Sequence, residues 1–309
     1  MKMQNPRQVY GETLLDLGRK NKDIVVLEAD LSKSTMTCLF EKEFPERFFE
    51  MGIGEANMTS FAGGLSLTGK VAFTNSFAVF ASGRAYDQIR QGISIPKLNV
   101  KIVGSSSGLS DFGDGATHQS VEDVAIMRAI PNMTVLVPAD GIETRKMTKT
   151  VADYRGPVYI RINRNDLPDL FPEDQEFEIG KSYLIREGKD VVVFASGIMV
   201  SKAVQAAERL KVEGISVRVV NVSSLKPTNE DDIKQFAAGV KGIVTAEEHS
   251  LIGGLASVIT YILRGSGVPM ITIGIEDEFG QSAHDYDELL QEYGLTEENI
   301  IGSIKQLVR

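Results

Sequence analysis

The chain has 309 residues, more than one hydrophobic core usually organises, so its length predicts two domains. Its composition is that of an ordinary globular protein, and its formal charge of −9 argues against nucleic acid or an anionic membrane as the main partner. A single cysteine, Cys38, excludes an intrachain disulfide, and no apolar run reaches transmembrane length, so we expect a cytoplasmic protein that does not enter a membrane.

Apolar strand-like runs alternate with amphipathic segments, which predicts an α/β fold of two domains, each a mostly parallel sheet flanked by helices. In the first part, strands are predicted at 23–28, 48–53, 70–74, 99–104, 133–137 and 157–161. The helices predicted between them include 7–21, 55–68 and 77–94. Two prolines and several acids interrupt this pattern near residue 170, which predicts a first domain over 1–170 and a linker over 171–187.

The second part, residues 188–309, restarts the alternation. Its predicted strands are 190–195, 215–220, 242–246 and 270–273, and its predicted helices are 198–211, 251–263 and a charged tail from 296. Acids, bases and glycines are less concentrated here than in residues 30–120. We therefore expect this domain to serve packing or assembly rather than chemistry.

Glu55 follows a predicted strand and two glycines, Gly52 and Gly54, and it opens a predicted helix. In an open α/β sheet, ligands bind at the carboxyl ends of the strands. A glutamate at this edge, between apolar segments, can share a proton with a ligand nitrogen. The alternative is an acid that stabilises the helix N-terminus through the helix dipole.

Residues 104–119 form a second predicted loop at the same edge, rich in glycine and serine and able to approach a ligand closely. Asp114 can accept hydrogen bonds from hydroxyl groups, and His118 titrates near neutrality. The alternative is a solvated turn with a surface histidine. Gly113-Asp114-Gly115 is similar to the start of a diphosphate- and magnesium-binding loop, but the asparagine pair that often ends such loops is missing, so no metal site is expected.

Three segments carry a family resemblance: Gly-Ile-Gly-Glu-Ala-Asn-Met at 52–58, Gly-Asp-Gly-Ala-Thr-His-Gln at 113–119, and Arg-Ile-Asn-Arg-Asn-Asp-Leu-Pro at 161–168. In this order and spacing they resemble the C-terminal half of a transketolase, which comprises the pyrimidine-binding and C-terminal domains of a thiamine-diphosphate enzyme. The resemblance covers essentially the whole chain. It includes no counterpart of the N-terminal transketolase domain, and it therefore implies the second subunit of a split, two-subunit transketolase.

The resemblance implies thiamine diphosphate as the cofactor, bound by this chain on its pyrimidine side, with Mg²⁺ or Ca²⁺ held by the partner subunit. Glu55 matches the catalytic glutamate that hydrogen-bonds a ring nitrogen of the aminopyrimidine. Phe77 and Phe80 match the aromatic wall against that ring, for which two core phenylalanines at helical spacing are the alternative. Asp30 is a further implied cofactor contact, and the family's third aromatic residue is not assigned to Tyr86.

Asp114 and His118 match residues that bind the hydroxyl groups of the donor sugar, and His118 is counted with Glu55 as catalytic. Transketolases usually carry another substrate-contacting histidine where this chain has Ser105-Ser106-Ser107, which leaves the donor sugar open.

Arg7, Ser34 and Arg164 match the group that holds the phosphate of a sugar phosphate. Guanidinium groups suit phosphate because they bind it through paired, charge-assisted hydrogen bonds. Solvated surface arginines are the alternative.

The implied activity is transfer of a two-carbon ketol unit between sugar phosphates, in an α2β2 heterotetramer with the N-terminal subunit and with self-association through the C-terminal half. Residues 84–88, Arg-Ala-Tyr-Asp-Gln, are also similar to 1-deoxyxylulose-phosphate synthase, so a half of that kind is an alternative. A 2-oxo acid dehydrogenase β-subunit shares the fold, although it would not need the sugar-phosphate arginines. A non-catalytic regulatory subunit would not need Glu55, Asp114 and His118 together.

Overall fold

The computed structural model describes residues 2–308, so the outer limits of the two predicted domains, 1 and 309, lie outside the described residues. In chain order the strands are β1 (Met3–Gln4), β2 (Ile24–Glu28), β3 (Phe48–Glu50), β4 (Val71–Phe77), β5 (Val100–Ser105), β6 (Thr134–Leu136), β7 (Val158–Arg161), β8 (Leu167–Pro168), β9 (Tyr183–Arg186), β10 (Val191–Ala195), β11 (Val217–Asn221), β12 (Ser224–Lys226), β13 (Gly242–Ser250) and β14 (Met270–Ile275).

The α-helices are α1 (Pro6–Lys20), α2 (Ser32–Thr35), α3 (Cys38–Glu43), α4 (Glu55–Leu67), α5 (Ala78–Gly83), α6 (Tyr86–Gln88), α7 (Asp123–Ala129), α8 (Gly141–Asp153), α9 (Met199–Val212), α10 (Glu230–Ala237), α11 (Leu255–Ile262), α12 (Tyr286–Glu292) and α13 (Glu297–Val308). Two 3-10 turns occupy Pro45–Arg47 and Gly115–Thr117, and a π-helical turn occupies Ile89–Ser94. None of the helices within residues 2–308 combines the length and the apolar composition needed to cross a membrane.

The first sheet has seven strands in the order β12-β6-β7-β5-β4-β2-β3, and all of its pairings are parallel except that of β12 with β6. Strand β2 is buried on both faces: Ile24 and Val26 pack into one core, while Val25 and Leu27 pack into the other. Burial of both faces is typical of a parallel sheet covered by helices on each side. The predicted α/β architecture is confirmed.

The second sheet has five strands in the order β14-β13-β10-β11-β9, with β9 antiparallel to β11 and the others parallel. Strand β9 lies within the range predicted as a linker, and β12, from the second part of the chain, adds to the first sheet. The two halves of the chain are therefore joined by main-chain pairing as well as by side chains.

The predicted continuous helix over 77–94 is wrong. Strand β4 continues to Phe77 because its main chain stays paired with β5 up to Ser105. The buried Asn75 side chain is satisfied there: its Oδ1 accepts from the Tyr10 hydroxyl at 2.6 Å, and its Nδ2 donates to the Leu27 carbonyl at 3.1 Å. The helical region that follows is divided into α5, α6 and the π-helical turn. Phe77 thus ends a strand and Phe80 lies on a helix, so the two rings come from different elements.

Candidate active site

The segment after β2, the beginning of α4, helix α5 and the 3-10 turn before His118 surround a cavity of about 320 Å³ at the edge of the first sheet. It is lined by Ala29, Asp30, Leu31, Ile53, Glu55, Phe80, Arg84, Thr117 and His118. Four sequence-predicted site residues, Asp30, Glu55, Phe80 and His118, are therefore brought to one cavity. The other predicted site residues are outside this lining: Phe77, Asp114, Arg7, Ser34 and Arg164.

Glu55 is the first residue of α4, and its side chain is only 3% exposed. The chain can turn from β3 into this helix because Gly52 adopts a φ of +65°, which glycine tolerates without steric cost. Oε1 of Glu55 lies 3.0 Å from Nη1 of Arg84, whose side chain is 49% exposed. The cavity therefore presents a buried carboxylate that is paired on one side and faces apolar residues on the other.

Arg84 is a site residue that the sequence reasoning missed. Its guanidinium carbon lies 4.0 Å from the ring centroid of Phe80, close enough for a cation–π contact, while the same group binds Glu55. Arg84 and Glu55 are 29 residues apart in the sequence, so no local pattern signals their contact. The only sequence signal was the 84–88 motif, whose meaning rested on resemblance.

Phe77 and Phe80 form an aromatic wall that includes His118. The two phenylalanine rings have centroids 6.1 Å apart and planes 18° apart, and the His118 ring meets Phe80 edge-on at 5.2 Å. Nδ1 of His118 lies 2.9 Å from Oγ1 of Thr117, which orients the imidazole. The half-buried histidine can thus reach the cavity while its ring is fixed by aromatic contacts.

Asp30 and Asp114 lie at more exposed positions. Asp30 follows β2 with a φ of +60°, and its backbone N–H donates to Oε1 of Glu50 at 2.8 Å, so the turn holds it at the cavity rim. Asp114 precedes the 3-10 turn that leads to His118. Its exposed carboxylate is available to hydroxyl groups in solution.

Arg7 and Arg164 form a second group beside the first, which we call the arginine pair. Nη1 of Arg7 donates to the backbone carbonyl of Ser34 at 2.8 Å, so the Ser34 main chain makes this contact. Burial lowers the pKa of Arg7, and the nearby charge of Arg164 lowers it further. Nε of Arg7 is buried without a hydrogen-bond partner among the described residues. Two neighbouring guanidinium groups with an unused donor are suited to an anion.

Asp111 connects the two groups and was not identified from the sequence, although it lies in the same loop as Asp114. Its Oδ2 is 2.5 Å from Nη1 of Arg164. Burial raises the pKa of Asp111 and the charge of Arg164 opposes that rise, with smaller effects from Asp114 and His118. The arginine pair and the residues of the 104–119 loop are therefore electrostatically coupled through this carboxylate.

Ser105, Ser106 and Ser107 are buried and do not line the cavity. Ser106 has a φ of +51°, and the hydroxyls of Ser105 and Ser106 have no hydrogen-bond partner within the described part of the chain. Between residues 2 and 308, no three His, Cys, Asp or Glu side chains are arranged to hold a metal ion.

The chain matches two families along its length. Residues 2–169 match the family described as transketolase, pyrimidine binding domain, and residues 180–300 match transketolase, C-terminal domain. A putative transketolase C-terminal section from Methanocaldococcus jannaschii is 46% identical over 304 residues, covering 97% of this chain and 95% of the relative. The 6-deoxy-6-sulfo-D-fructose transketolase subunit SqwH of Clostridium sp. strain MSTE9 is 40% identical, covering 96% and 92%.

A solved structure is as similar in sequence to this chain as the Methanocaldococcus jannaschii relative is. It is described as a split gene transketolase, inactive beta4 tetramer, and it superposes with a TM-score of 0.89 at 46% identity, covering 98% of this chain and 97% of that chain. These relatives have nearly the same length as this chain.

Proposed function

The chain belongs to the transketolase family, and from this premise we propose that it is the C-terminal subunit of a two-subunit transketolase, supplying the pyrimidine side of a thiamine-diphosphate site. With an N-terminal partner subunit, it would transfer a two-carbon ketol unit between sugar phosphates. The observation that carries this proposal is the buried Glu55 carboxylate in a cavity that also contains Phe80 and His118.

The cavity fits one half of such a cofactor. A volume of about 320 Å³ with an apolar and aromatic wall suits a planar ring, and a carboxylate at its inner end suits a ring nitrogen. When bound, thiamine diphosphate supplies the nucleophilic carbon that attacks a ketose carbonyl. Glu55 would hold a proton at the ring nitrogen, Phe77 and Phe80 would orient the ring, and Asp30 would lie at its edge. Arg84 would have to share or release its contact with Glu55.

His118 and Asp114 support a substrate site beside this ring. His118 reaches the cavity from the loop and could exchange a proton with a donor hydroxyl, because histidine is the side chain that most often serves as a general acid or base. Asp114 would accept hydrogen bonds from the sugar.

The arginine pair supports an anionic end on the substrate. Arg7 and Arg164, with the Ser34 segment beside them, would hold a terminal phosphate away from the reacting carbon. The relative named for 6-deoxy-6-sulfo-D-fructose acts, by that name, on a sugar that carries a sulfonate at one end. This supports the inference that a terminal oxyanion, rather than one particular sugar, is what the pair recognises.

The partner subunit would supply the diphosphate and metal side of the cofactor site, with Mg²⁺ or Ca²⁺ held there. We propose an α2β2 heterotetramer in which the second half of this chain contributes to self-association. The description of the structural relative as an inactive beta4 tetramer supports self-association without activity. A cytoplasmic location is proposed from the single cysteine.

Reconstitution tests the proposal. The purified chain, its N-terminal partner and the two together are assayed with thiamine diphosphate and Mg²⁺, using ketose-phosphate donors and aldose-phosphate acceptors. We expect ketol transfer by the complex and none by this chain alone. Ketol transfer by the isolated chain would overturn the two-subunit reading. Decarboxylation of pyruvate by the complex, without ketol transfer, would favour a synthase or dehydrogenase instead.

A further inference from the structure

Glu248 is a buried carboxylate of the second sheet whose side chain contacts the first half of the chain. It lies on β13 and is 3% exposed. Its Oε1 accepts from the backbone N–H of Leu109 at 2.8 Å, and its Oε2 accepts from Nδ2 of Asn163 at 3.2 Å. One carboxylate thus binds two segments of the first half of the chain, around Leu109 and around Asn163.

The loop is shaped to admit this carboxylate. Gly108 has a φ of +62°, and a Cβ added there would lie 2.5 Å from the carboxyl carbon of Glu248. The backbone of Gly108 also pairs with that of Ser120 in both directions, at 3.0 and 3.1 Å. Any larger residue at position 108 would push the loop and the carboxylate apart.

The two segments that Glu248 holds also make the contacts that fix the position of Arg164. Oδ1 of Asn163 accepts from the N–H of Asn165 at 2.8 Å, which fixes the turn around Arg164. The N–H of Arg164 lies 3.3 Å from Oγ of Ser110, and Nδ2 of Asn165 donates to the Ser110 carbonyl at 3.1 Å. Side chains of Glu248, Asn163, Ser110 and Asn165 therefore fix the main chain on both sides of Arg164.

A carboxylate at this position has a specific task, because it must accept two hydrogen bonds from different directions in a buried site. Burial raises the pKa of Glu248, and the charge of Arg161 opposes this. Arg161 also donates from Nη2 to the backbone carbonyl of Glu248 at 2.8 Å. Loss of the carboxylate would leave the buried N–H of Leu109 without its partner, and Nδ2 of Asn163 would keep only the Tyr286 hydroxyl, 2.8 Å away.

We propose that Glu248 is a positioning residue for substrate recognition: it holds loop 104–119 and the Arg164 segment in the geometry that binds the anionic end of the substrate. This inference rests on the proposed function. It also gives the second half of the chain a part in specificity, beyond the packing and assembly role predicted from its sequence.

Other contacts keep the loop folded when Glu248 is changed. Nε2 of Gln119 donates to the carbonyl of Gln281 at 3.0 Å, and the N–H of Ala283 donates to the carbonyl of Phe112 at 2.9 Å. A Glu248 variant should therefore shift the loop locally rather than unfold it.

The test compares Glu248→Ala and Glu248→Gln with Glu247→Ala, each in the complex with the N-terminal subunit. Glu247 is the matched control because it is a buried carboxylate on the same strand, whose two oxygens accept from the N–H groups of Leu255 and Ala256 at 2.6 and 2.8 Å, within the second half. KM and kcat are measured with a ketose-phosphate donor and with unphosphorylated hydroxypyruvate. Amide hydrogen exchange is measured over 104–119 and 161–168.

We expect Glu248→Ala to raise KM for the phosphorylated donor by about 10-fold or more, a typical effect of misplacing a binding group by a fraction of an ångström to one ångström. KM for hydroxypyruvate should rise less, because this donor makes no contact with the arginine pair and depends only on the Asp114 and His118 part of the loop. Amide exchange should quicken in both segments. Glu248→Gln should lie between wild type and Glu248→Ala, because it keeps an acceptor for Leu109. Glu247→Ala should lower thermal stability without changing the ratio of the two KM values.

Equal losses for both donors, unchanged amide exchange in Glu248→Ala, or the same KM split in Glu247→Ala would each overturn the inference. A wild-type complex without ketol transfer would instead refute the proposed function, while the exchange measurement would still decide whether Glu248 holds the loop. If Glu248→Ala does not fold, Glu248→Gln provides the same comparison.

Discussion

The loop at 104–119 has two faces with very different surroundings. On one face, half-buried His118 lines the cavity and Asp114 is exposed to solvent outside the lining. On the opposite face, Leu109 and Gln119 are tied to Glu248 and Gln281 of the second half by buried or partly buried hydrogen bonds. The difference shows how polar groups can be left accessible for a substrate: the backbone behind them is fixed by partners that no substrate needs to contact.

The largest effect should come from breaking the buried ion pair between Arg161 and Asp123. Nε of Arg161 contacts both carboxylate oxygens of Asp123, at 3.1 and 3.0 Å, and the two side chains are 4% and 0% exposed. Arg161→Met would leave Asp123 buried without its cation, which should cost about 3–5 kcal/mol of unfolding free energy. Urea denaturation of the purified chain measures this loss.

The control for that experiment is an ion pair on the outer surface. Lys234 and Glu230 lie 2.9 Å apart on α10, and both side chains are 51% exposed. Lys234→Ala should change the unfolding free energy by no more than about 0.5 kcal/mol. Similar losses in the two variants would contradict the special role given to the buried ion pair.

A smaller and more selective effect is expected in the arginine pair, from Arg164→Ala. Removing this guanidinium should lower kcat/KM for phosphorylated substrates by a factor equivalent to about 1.5–3 kcal/mol, the value of a hydrogen bond to a charged group. Hydroxypyruvate should be nearly unaffected. Steady-state kinetics of the complex checks both, with the exposed cation Arg209 as a control through Arg209→Ala. An equal loss for both substrates would mean that Arg164 supports the fold or the cofactor.

The pH dependence of stability tests a second buried carboxylate, that of Glu28. Glu28 ends β2, and its Oε2 accepts from the hydroxyls of Thr35 and Thr37 at 2.7 and 2.6 Å. Burial raises the pKa of Glu28 from 4.5 to about 8. Because the folded pKa is the higher one, this stabilising contribution is complete below pH 4.5 and is lost as the pH rises through about 8.

Glu28→Gln should therefore flatten the fall in unfolding free energy between pH 5 and 8, by up to about 1.4 kcal/mol per pH unit. Urea titrations at several pH values provide the measurement. Glu43 is the control, since its hydrogen bond to Arg19 lowers the pKa of this exposed carboxylate, so Glu43→Gln should alter the slope only in the acidic range. An unchanged slope in Glu28→Gln would show that Glu28 is ionised in the folded protein.

The sequence predicted the features that depend on neighbouring residues. The alternation of strands and helices, and the position of Glu55 at a helix N-terminus after a glycine turn, follow from local periodicity and were found. Features that depend on distant partners were not predictable. Strand β4 continues past Thr74 because its main chain pairs with β2 and β5, and the buried Asn75 amide meets Tyr10 and Leu27 there.

The same limit explains the missed site residues. Arg84, at the C-terminal end of α5, meets Glu55 across 29 residues of sequence, and Glu248 meets Leu109 across 139. Asp111 is near enough in sequence to Asp114 to be noticed, but its pairing with Arg164 depends on how β5 and β7 lie side by side. Only the fold brings these charges together.

Exchange of the reactive thiazolium proton of thiamine diphosphate with deuterium tests most directly whether Glu55 acts on the pyrimidine ring of this cofactor. The rate is measured by quenched-flow NMR in the complex with the N-terminal subunit, for wild type and for Glu55→Gln, after confirming that both bind the cofactor. We expect the variant to exchange more slowly by about 10²–10⁴-fold, the usual contribution of a positioned acid–base group. An unchanged exchange rate in a folded, cofactor-loaded Glu55→Gln complex would contradict this role of Glu55.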